Sequence, residues 1–300
     1  MPHPALANFL EQHALPEAYL AEANQHFLPL LDDIRQLLEH KRPLVFVING
    51  CQGSGKTTLA AWLQTRLSIE GLDAVSLSLD DFYLSHADRQ ALAVRIHPLL
   101  ATRGVPGTHD IPLALQTLSA LKNGQPVAIP RFDKARDDCV PRSNWQIQHQ
   151  PADVVILEGW CVGARPQTDQ ALLEPVNLLE ALEDSDGHWR SYVNRQLTGD
   201  YQTLYAMADR LAMLKAPDFN CVYHWRLEQE QKLAKKLQDE QRAKKHTPDG
   251  LMSAGDVLRF VQFFERLTRH MLNTLPEQAD DCFYLNSRRQ IIDEKHRHRQ

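Results

Sequence analysis

Nothing in this sequence approaches the run of about 18 apolar residues that a membrane-crossing helix needs. The opening MPHPALANFLEQH has no basic segment followed by a long apolar one, so no signal peptide is expected there. Cysteine is scarce: five in 300 residues, with no C-x-x-C pair. That excludes a disulfide-built scaffold, argues against a zinc cluster and fits scattered thiols in a reducing compartment. An excess of one charge is missing too. The 33 Lys and Arg against 38 Asp and Glu leave a net charge of −5, which disfavours a broad basic surface for nucleic acid but leaves room for a local cationic pocket. No internal repeat appears at a solenoid period. What is present is the balance of a soluble globular protein, 43% hydrophobic and 24% charged residues. The expectation is a cytoplasmic protein with neither a membrane nor a nucleic acid as partner.

The apolar rhythm predicts a short helix over 5–13 and an amphipathic one over 22–39, with Phe27, Leu30, Leu31, Ile34, Leu37 and Leu38 on one side. LVFVI at 44–48 is a continuous β-branched and apolar run, the pattern of a strand buried on both faces. A glycine-rich turn, a helix to about Glu70 and a second strand, AVSLSL at 74–79, complete a βαβ unit. Helices are expected over 85–97, 110–123, 169–182, much of 188–207, 218–245 and 255–274, and strands at PVAIP, DVVILEG (153–159), RLAMLKA (210–216) and, at the sheet edge, CFYLN (282–286). The segment 131–145 shows no periodicity, and HTPDG at 246–250 breaks the long helix. The stripe Val257, Phe260, Val261, Phe264 and Leu267 reads as core, and His296 and His298 fall in a tail expected to fray.

GCQGSGKT at 50–57 is a full G-x-x-x-x-G-K-[ST] motif in its required place between strand and helix. Gly50, Gly53 and Gly55 let the backbone pass close to a ligand, and with Cys51, Gln52, Ser54 and Thr58 the loop turns its amides toward phosphate oxygens. Lys56 is the expected β/γ-phosphate contact and Thr57 the expected Mg²⁺ ligand. Glu158, at the end of DVVILEG, can orient the metal or its water. A dinucleotide fingerprint fits less well, because Thr58 stands where its last glycine belongs.

SLDDFY at 78–83 places two carboxylates at the end of the second strand, aimed apart if the strand continues. Asp80 is the candidate general base for an incoming hydroxyl, and Asp81 a turn cap or an aid to the metal site. Arg103, His109, Asp110, Arg131, Asp133, Lys134, Arg136, Arg142 and Trp160 lie beside expected strand ends, where an anionic acceptor would use cations. Asp110 equally reads as a helix cap, followed by Pro112 in the first turn. Arg226 follows the aromatic CVYHW and is placed to reach a transferring phosphate from a lid.

GCQGSGKT, DDFY and ILEG, in this order, resemble the P-loop kinase group that contains phosphoribulokinase, uridine kinase and bacterial pantothenate kinase. GVPGTHD (104–110), IPRFDK (129–134), LEGWCVG (157–163) and NCVYHWR (220–226) further resemble the plant and cyanobacterial type of D-glycerate 3-kinase and its related fungal ATP-binding proteins. These motifs span most of 44–226. The resemblance implies an α/β P-loop NTPase fold with a mostly parallel central sheet flanked by helices. It implies transfer of the ATP γ-phosphate to a small alcohol, most closely D-glycerate, with ATP and Mg²⁺. Asp80 would be base, Glu158 the acidic residue after the Walker B strand, Lys56 and Arg226 phosphate contacts, and His109, Asp110, Arg131 and Asp133 the acceptor pocket. KARDDCVPR is compact where that family carries a longer insert, so another hydroxy acid, pantothenate or a nucleoside stays open as acceptor, as does a nucleotide-controlled regulatory role. The expected organisation is a helical extension over 1–43, the kinase domain with acceptor and lid insertions over 44–287, and a mixed-charge tail over 288–300.

Overall fold

A computed structural model describes residues 3–243 and 252–297, with 232–243 described by backbone alone. Two helices lead, α1 (Pro4–Gln12) and α2 (Ala18–Leu38), followed by β1 (Leu44–Gly50), α3 (Lys56–Ile69) and β2 (Ala74–Ser78). Next come α4 (His86–Arg95), α5 (Ile111–Lys122), the short strands β3 (Val127–Ile129), β4 (Phe132–Asp133), β5 (Asp138–Cys139) and β6 (Gln146–Gln148), and β7 (Val154–Gly159). The rest is α6 (Leu178–Glu183), α7 (His188–Gln196), α8 (Asp200–Tyr205), β8 (Arg210–Lys215), α9 (Phe219–Ala243), α10 (Ala254–Thr274), β9 (Asp281–Leu285) and β10 (Ile291–His296).

The main sheet runs β10-β9-β8-β1-β7-β2, parallel throughout except for β10, which returns antiparallel to β9. Every residue of β1 and β7 is buried, which explains why both read as unbroken apolar runs. Successive side chains alternate between two cores. Val45, Val47, Val155 and Leu157 face the side covered by α5, α8 and α10. Leu44, Phe46, Ile48, Val154 and Ile156 face α2 and α3, so the leading helices pack directly on the sheet through Phe27, Leu30, Leu31 and Ile34. The P-loop leaves β1 at the centre of this sheet, with Glu158 beside it in register with Ile48 and Ser78.

Several elements differ from the sequence expectation. CFYLN is not at the edge: the segment expected to fray supplies β10 outside it, and His296 is tied to Asp281 at 2.8 Å and Glu294 at 2.9 Å. Its alternation is weak because an edge strand needs little apolar surface. The helix expected over 169–182 is a 3₁₀ turn at Asp169–Leu172 and then α6, whose N-cap is Asn177. The helix expected across 188–207 breaks at Gly199 into α7 and α8. The aperiodic stretch after Ile129 contains the hairpin β4–β5. HTPDG and His298 lie outside the described residues.

Candidate active site

The loop from Gly50 to Lys56 is shaped by its neighbours as well as its glycines. Gly53 has φ +79°, and a Cβ there would sit 2.7 Å from Trp225 Cβ; Gly55, with φ +96°, caps α3. Arg289, at the β9–β10 turn, donates from Nε to the Gly53 carbonyl at 2.7 Å, pairs with Glu228 at 2.7 Å and lies over the Trp225 ring. Trp225 Nε1 in turn donates to the Ser287 carbonyl at 2.7 Å. The loop is thus braced by α9 and by the last hairpin, a connection of 236 residues in sequence that no local motif announces. Cys51 is buried, and burial raises its thiol to about 12, so it stays neutral.

At the start of α3, Thr57 Oγ1 donates to Glu158 Oε1 at 3.0 Å, and Lys56 Nζ stands 3.9 Å from Oε2. Glu158 Oε2, Gln52 Oε1 and Ser54 Oγ are buried without a hydrogen-bond partner among the described residues. Orphaned buried oxygens at a helix N-terminus fit a phosphate-bound Mg²⁺, which takes one or two protein oxygens and fills its shell from phosphates and water. No cluster of three or more His, Cys, Asp or Glu side chains suited to a metal occurs among the described residues.

Asp80 and Asp81 sit not on a continuing strand but on a 3₁₀ turn, Leu79–Phe82, immediately after β2. They diverge as expected, for a different reason. Asp80 accepts from Lys134 Nζ at 2.6 Å and from Tyr83 Oη at 2.8 Å. Asp81 accepts from Arg131 Nη1 at 2.6 Å and Phe132 N at 3.2 Å, pinning the β4–β5 hairpin. Burial alone would raise the Asp80 carboxyl. The ammonium groups of Lys134 and Lys56, with the hydrogen bonds from Lys134 and Tyr83, outweigh it and hold Asp80 below the usual carboxylate range.

A cleft of about 290 Å³ opens between these groups. Gln52, Gly53, Lys56 and Thr57 line one wall, Asp80, Tyr83, Arg103 and Lys134 another, and Arg226, Phe260 and Phe264 close it from α9 and α10. Arg226 is paired with Glu230 and packed over Phe260. The aromatic stripe of α10 therefore does two jobs. Phe264 meets Trp160 edge-on in the core, yet it and Phe260 also face the cleft, which periodicity alone does not distinguish. On the other side of the loop, Ser54, Gly55 and Thr58 border a second pocket of about 250 Å³, walled by Tyr19, Ala23, Phe27, Leu214, Leu285 and Ile291.

The four residues expected to shape the acceptor pocket do not line the cleft. Asp110 caps α5, accepting from Leu113 N at 2.9 Å. Asp133 accepts from Ala135 N at 2.9 Å and Arg136 N at 3.2 Å within its own turn. Arg131 is committed to Asp81. His109 is buried, stacked on Tyr83 with 4.6 Å between ring centroids and bonded through Nδ1 to Tyr201 Oη at 2.7 Å. Burial lowers it to about 4, against a smaller opposing pull from Asp80, so it is neutral at ordinary pH. Arg103, Lys134 and Trp160 are the candidates of that neighbourhood which reach the cleft, and Tyr83 joins them from the DDFY motif.

A P-loop at the carboxyl end of a central parallel strand, a neighbouring strand-end glutamate and an aspartate across the cleft define a P-loop nucleotide-dependent phosphotransferase. The comparisons with known proteins agree. The family model described as phosphoribulokinase / uridine kinase family matches residues 45–177. An uncharacterized kinase of Schizosaccharomyces pombe is 36% identical over 222 residues, covering 69% of this chain and 79% of that protein. The chloroplastic D-glycerate 3-kinase of Arabidopsis thaliana is 32% identical over 199 residues, 63% of this chain and 41% of its own length. The structure of D-glycerate 3-kinase from Cryptococcus neoformans superposes with a TM-score of 0.67 at 28% identity, over 85% of this chain and 89% of that one. The chain belongs to the phosphoribulokinase/uridine kinase family of P-loop kinases and is an ATP-dependent small-molecule kinase. No helix among the described residues is long and apolar enough to cross a membrane.

Proposed function

We propose that this kinase transfers the γ-phosphoryl group of ATP to D-glycerate, forming 3-phosphoglycerate. The observation that carries the reading is the cleft: one carboxylate, Asp80, faces the P-loop lysine across a space that the cations Arg103, Lys134 and Arg226 also line. A small hydroxy acid matches that chemistry, needing one proton acceptor and cations for its carboxylate. The likeness to D-glycerate 3-kinases of Arabidopsis thaliana and Cryptococcus neoformans supports the choice.

In this account the phosphates lie along the loop amides and Lys56, and the nucleoside extends into the pocket beside Thr58. Thr57 and Glu158 hold Mg²⁺, which when bound neutralises phosphate charge. The acceptor oxygen bonds to the γ-phosphorus as its proton passes to Asp80, and ADP departs with the electron pair of the broken P–O bond. Arg226 stabilises the transferring group, and Phe260 and Phe264 exclude water that would otherwise hydrolyse ATP. Pantothenate kinases and a uridine kinase, similar over 41–43% of this chain, mark the alternative acceptors. ADP release measured with D-glycerate, L-glycerate, pantothenate and uridine, with the mass of each product, tests the assignment. Turnover of a different acceptor alone removes glycerate and keeps the kinase.

A further inference from the structure

The proposed base is not free. Lys134 holds one carboxylate oxygen of Asp80 and Tyr83 the other, so a hydroxyl arriving in the cleft meets an occupied acceptor. The other cations of the cleft have carboxylates of their own: Arg103 pairs with Asp137, Arg226 with Glu230, and Lys56 stands by Glu158. Lys134 differs because its partner is the base itself. Its side chain is exposed on the turn of the β4–β5 hairpin, whose backbone is fixed at one end by Asp81 and at the other by Asp137 with Arg89 and Arg103. The flexible four-carbon stem can therefore swing while the hairpin stays in place.

We propose that Lys134 is the residue that selects an acidic acceptor: the acceptor's carboxylate replaces Asp80 as the partner of Lys134, and this exchange frees Asp80 to take the proton. The proposal rests on the kinase reading above, with Asp80 as base. Exchanging one carboxylate for another leaves the ammonium paired throughout. A neutral alcohol offers nothing in exchange, so its reaction requires the ion pair to break unaided. Losing a hydrogen-bonded charge pair of this kind corresponds to about a tenfold to hundredfold effect. The groups that face Asp80, namely Lys56 from α3, Tyr83 from its own turn and nearby His109, remain in place during the exchange. Acid specificity is thereby built into the activation of the base as well as into binding.

The test compares D-glycerate with its amide in the wild-type enzyme, Lys134→Met and Lys134→Arg, using product formation at saturating ATP and Mg²⁺. The wild type is expected to favour the acid about a hundredfold in kcat/KM, with part of the preference in kcat. Lys134→Met is expected to raise the D-glycerate KM at least about tenfold and bring the acid/amide ratio of kcat close to one, while Lys134→Arg restores part of the preference. An acid/amide ratio of kcat unchanged in Lys134→Met overturns the proposal. A second measurement needs no turnover: acetylation of Lys134 in the wild-type protein, followed by peptide mass, with a non-hydrolysable ATP analogue. D-glycerate is expected to protect Lys134 several-fold and the amide not at all. If D-glycerate is neither substrate nor protectant, the glycerate assignment fails. A panel of other small hydroxy acids and their amides then decides Lys134 separately. Protection by acids alone supports the exchange, and equal labelling throughout overturns it.

Discussion

Gly53→Ala probes the contact that fixes α9 against the nucleotide loop. Two costs add at this position. A φ of +79° is unfavourable for any residue with a Cβ, by about 1–2 kcal/mol. The new methyl would also lie 2.7 Å from Trp225 Cβ and 3.4 Å from its carbonyl carbon, neither of which is the far end of a flexible side chain. Backbone or helix must shift, an overpacking cost of about 1–3 kcal/mol. The sum is about 2–5 kcal/mol, a large part of the roughly 5–15 kcal/mol that holds a typical protein folded. Gly55→Ala is the matched control: its φ is +96°, but no atom lies within 4 Å of the added Cβ, so only the backbone cost of about 1–2 kcal/mol applies. Urea unfolding of the nucleotide-free proteins reads the difference. Trp225→Ala would not relieve Gly53→Ala, because alanine keeps the offending Cβ. Because Arg226 follows Trp225 directly, displacement of α9 by about 1 Å is also expected to cost Gly53→Ala about a hundredfold in kcat. Equal stabilities for the two alanine variants would refute the packing of Trp225 on the loop.

Asp80→Asn is expected to lower kcat by about 10²–10⁴-fold, the range for a general base, with nucleotide affinity by calorimetry little changed; comparable turnover removes Asp80 from that role. His109 makes stability pH-dependent: its pKa falls from 6.5 to about 4 on folding, so the unfolded chain binds the extra proton between those values. Its contribution is intact above about pH 6.5 and declines toward pH 4 by about 3 kcal/mol, and His109→Gln should flatten that stretch of the stability–pH curve. Arg289→Ala removes a charged donor from the Gly53 carbonyl and should weaken ATP binding about tenfold in a fluorescence titration, leaving the KM for the acceptor nearly unchanged.

What was legible in the sequence is what lies close together along the chain. LVFVI and DVVILEG mark two neighbouring strands of the sheet, β1 and β7, and GCQGSGKT the loop that leaves the first, because buried parallel strands carry their own apolar signature and the loop must follow one of them. Ser85 and Asp110 announced their helices through side-chain caps. Pairings between distant segments were not legible. Arg131 and Lys134 are three residues apart, and both look like acceptor cations. Only the 3₁₀ turn decides that Arg131 meets Asp81 while Lys134 meets Asp80. Likewise, nothing local in RRQIIDEKH shows that Arg289 will reach Gly53, since an edge strand carries few apolar residues and its turn is polar.

The measurement that bears most directly on the account is product-resolved phosphotransfer by the purified protein with ATP, Mg²⁺ and D-glycerate. The account predicts stoichiometric ADP and 3-phosphoglycerate, dependent on the acceptor and lost in Asp80→Asn. ADP released at the same rate with and without any small alcohol would contradict it.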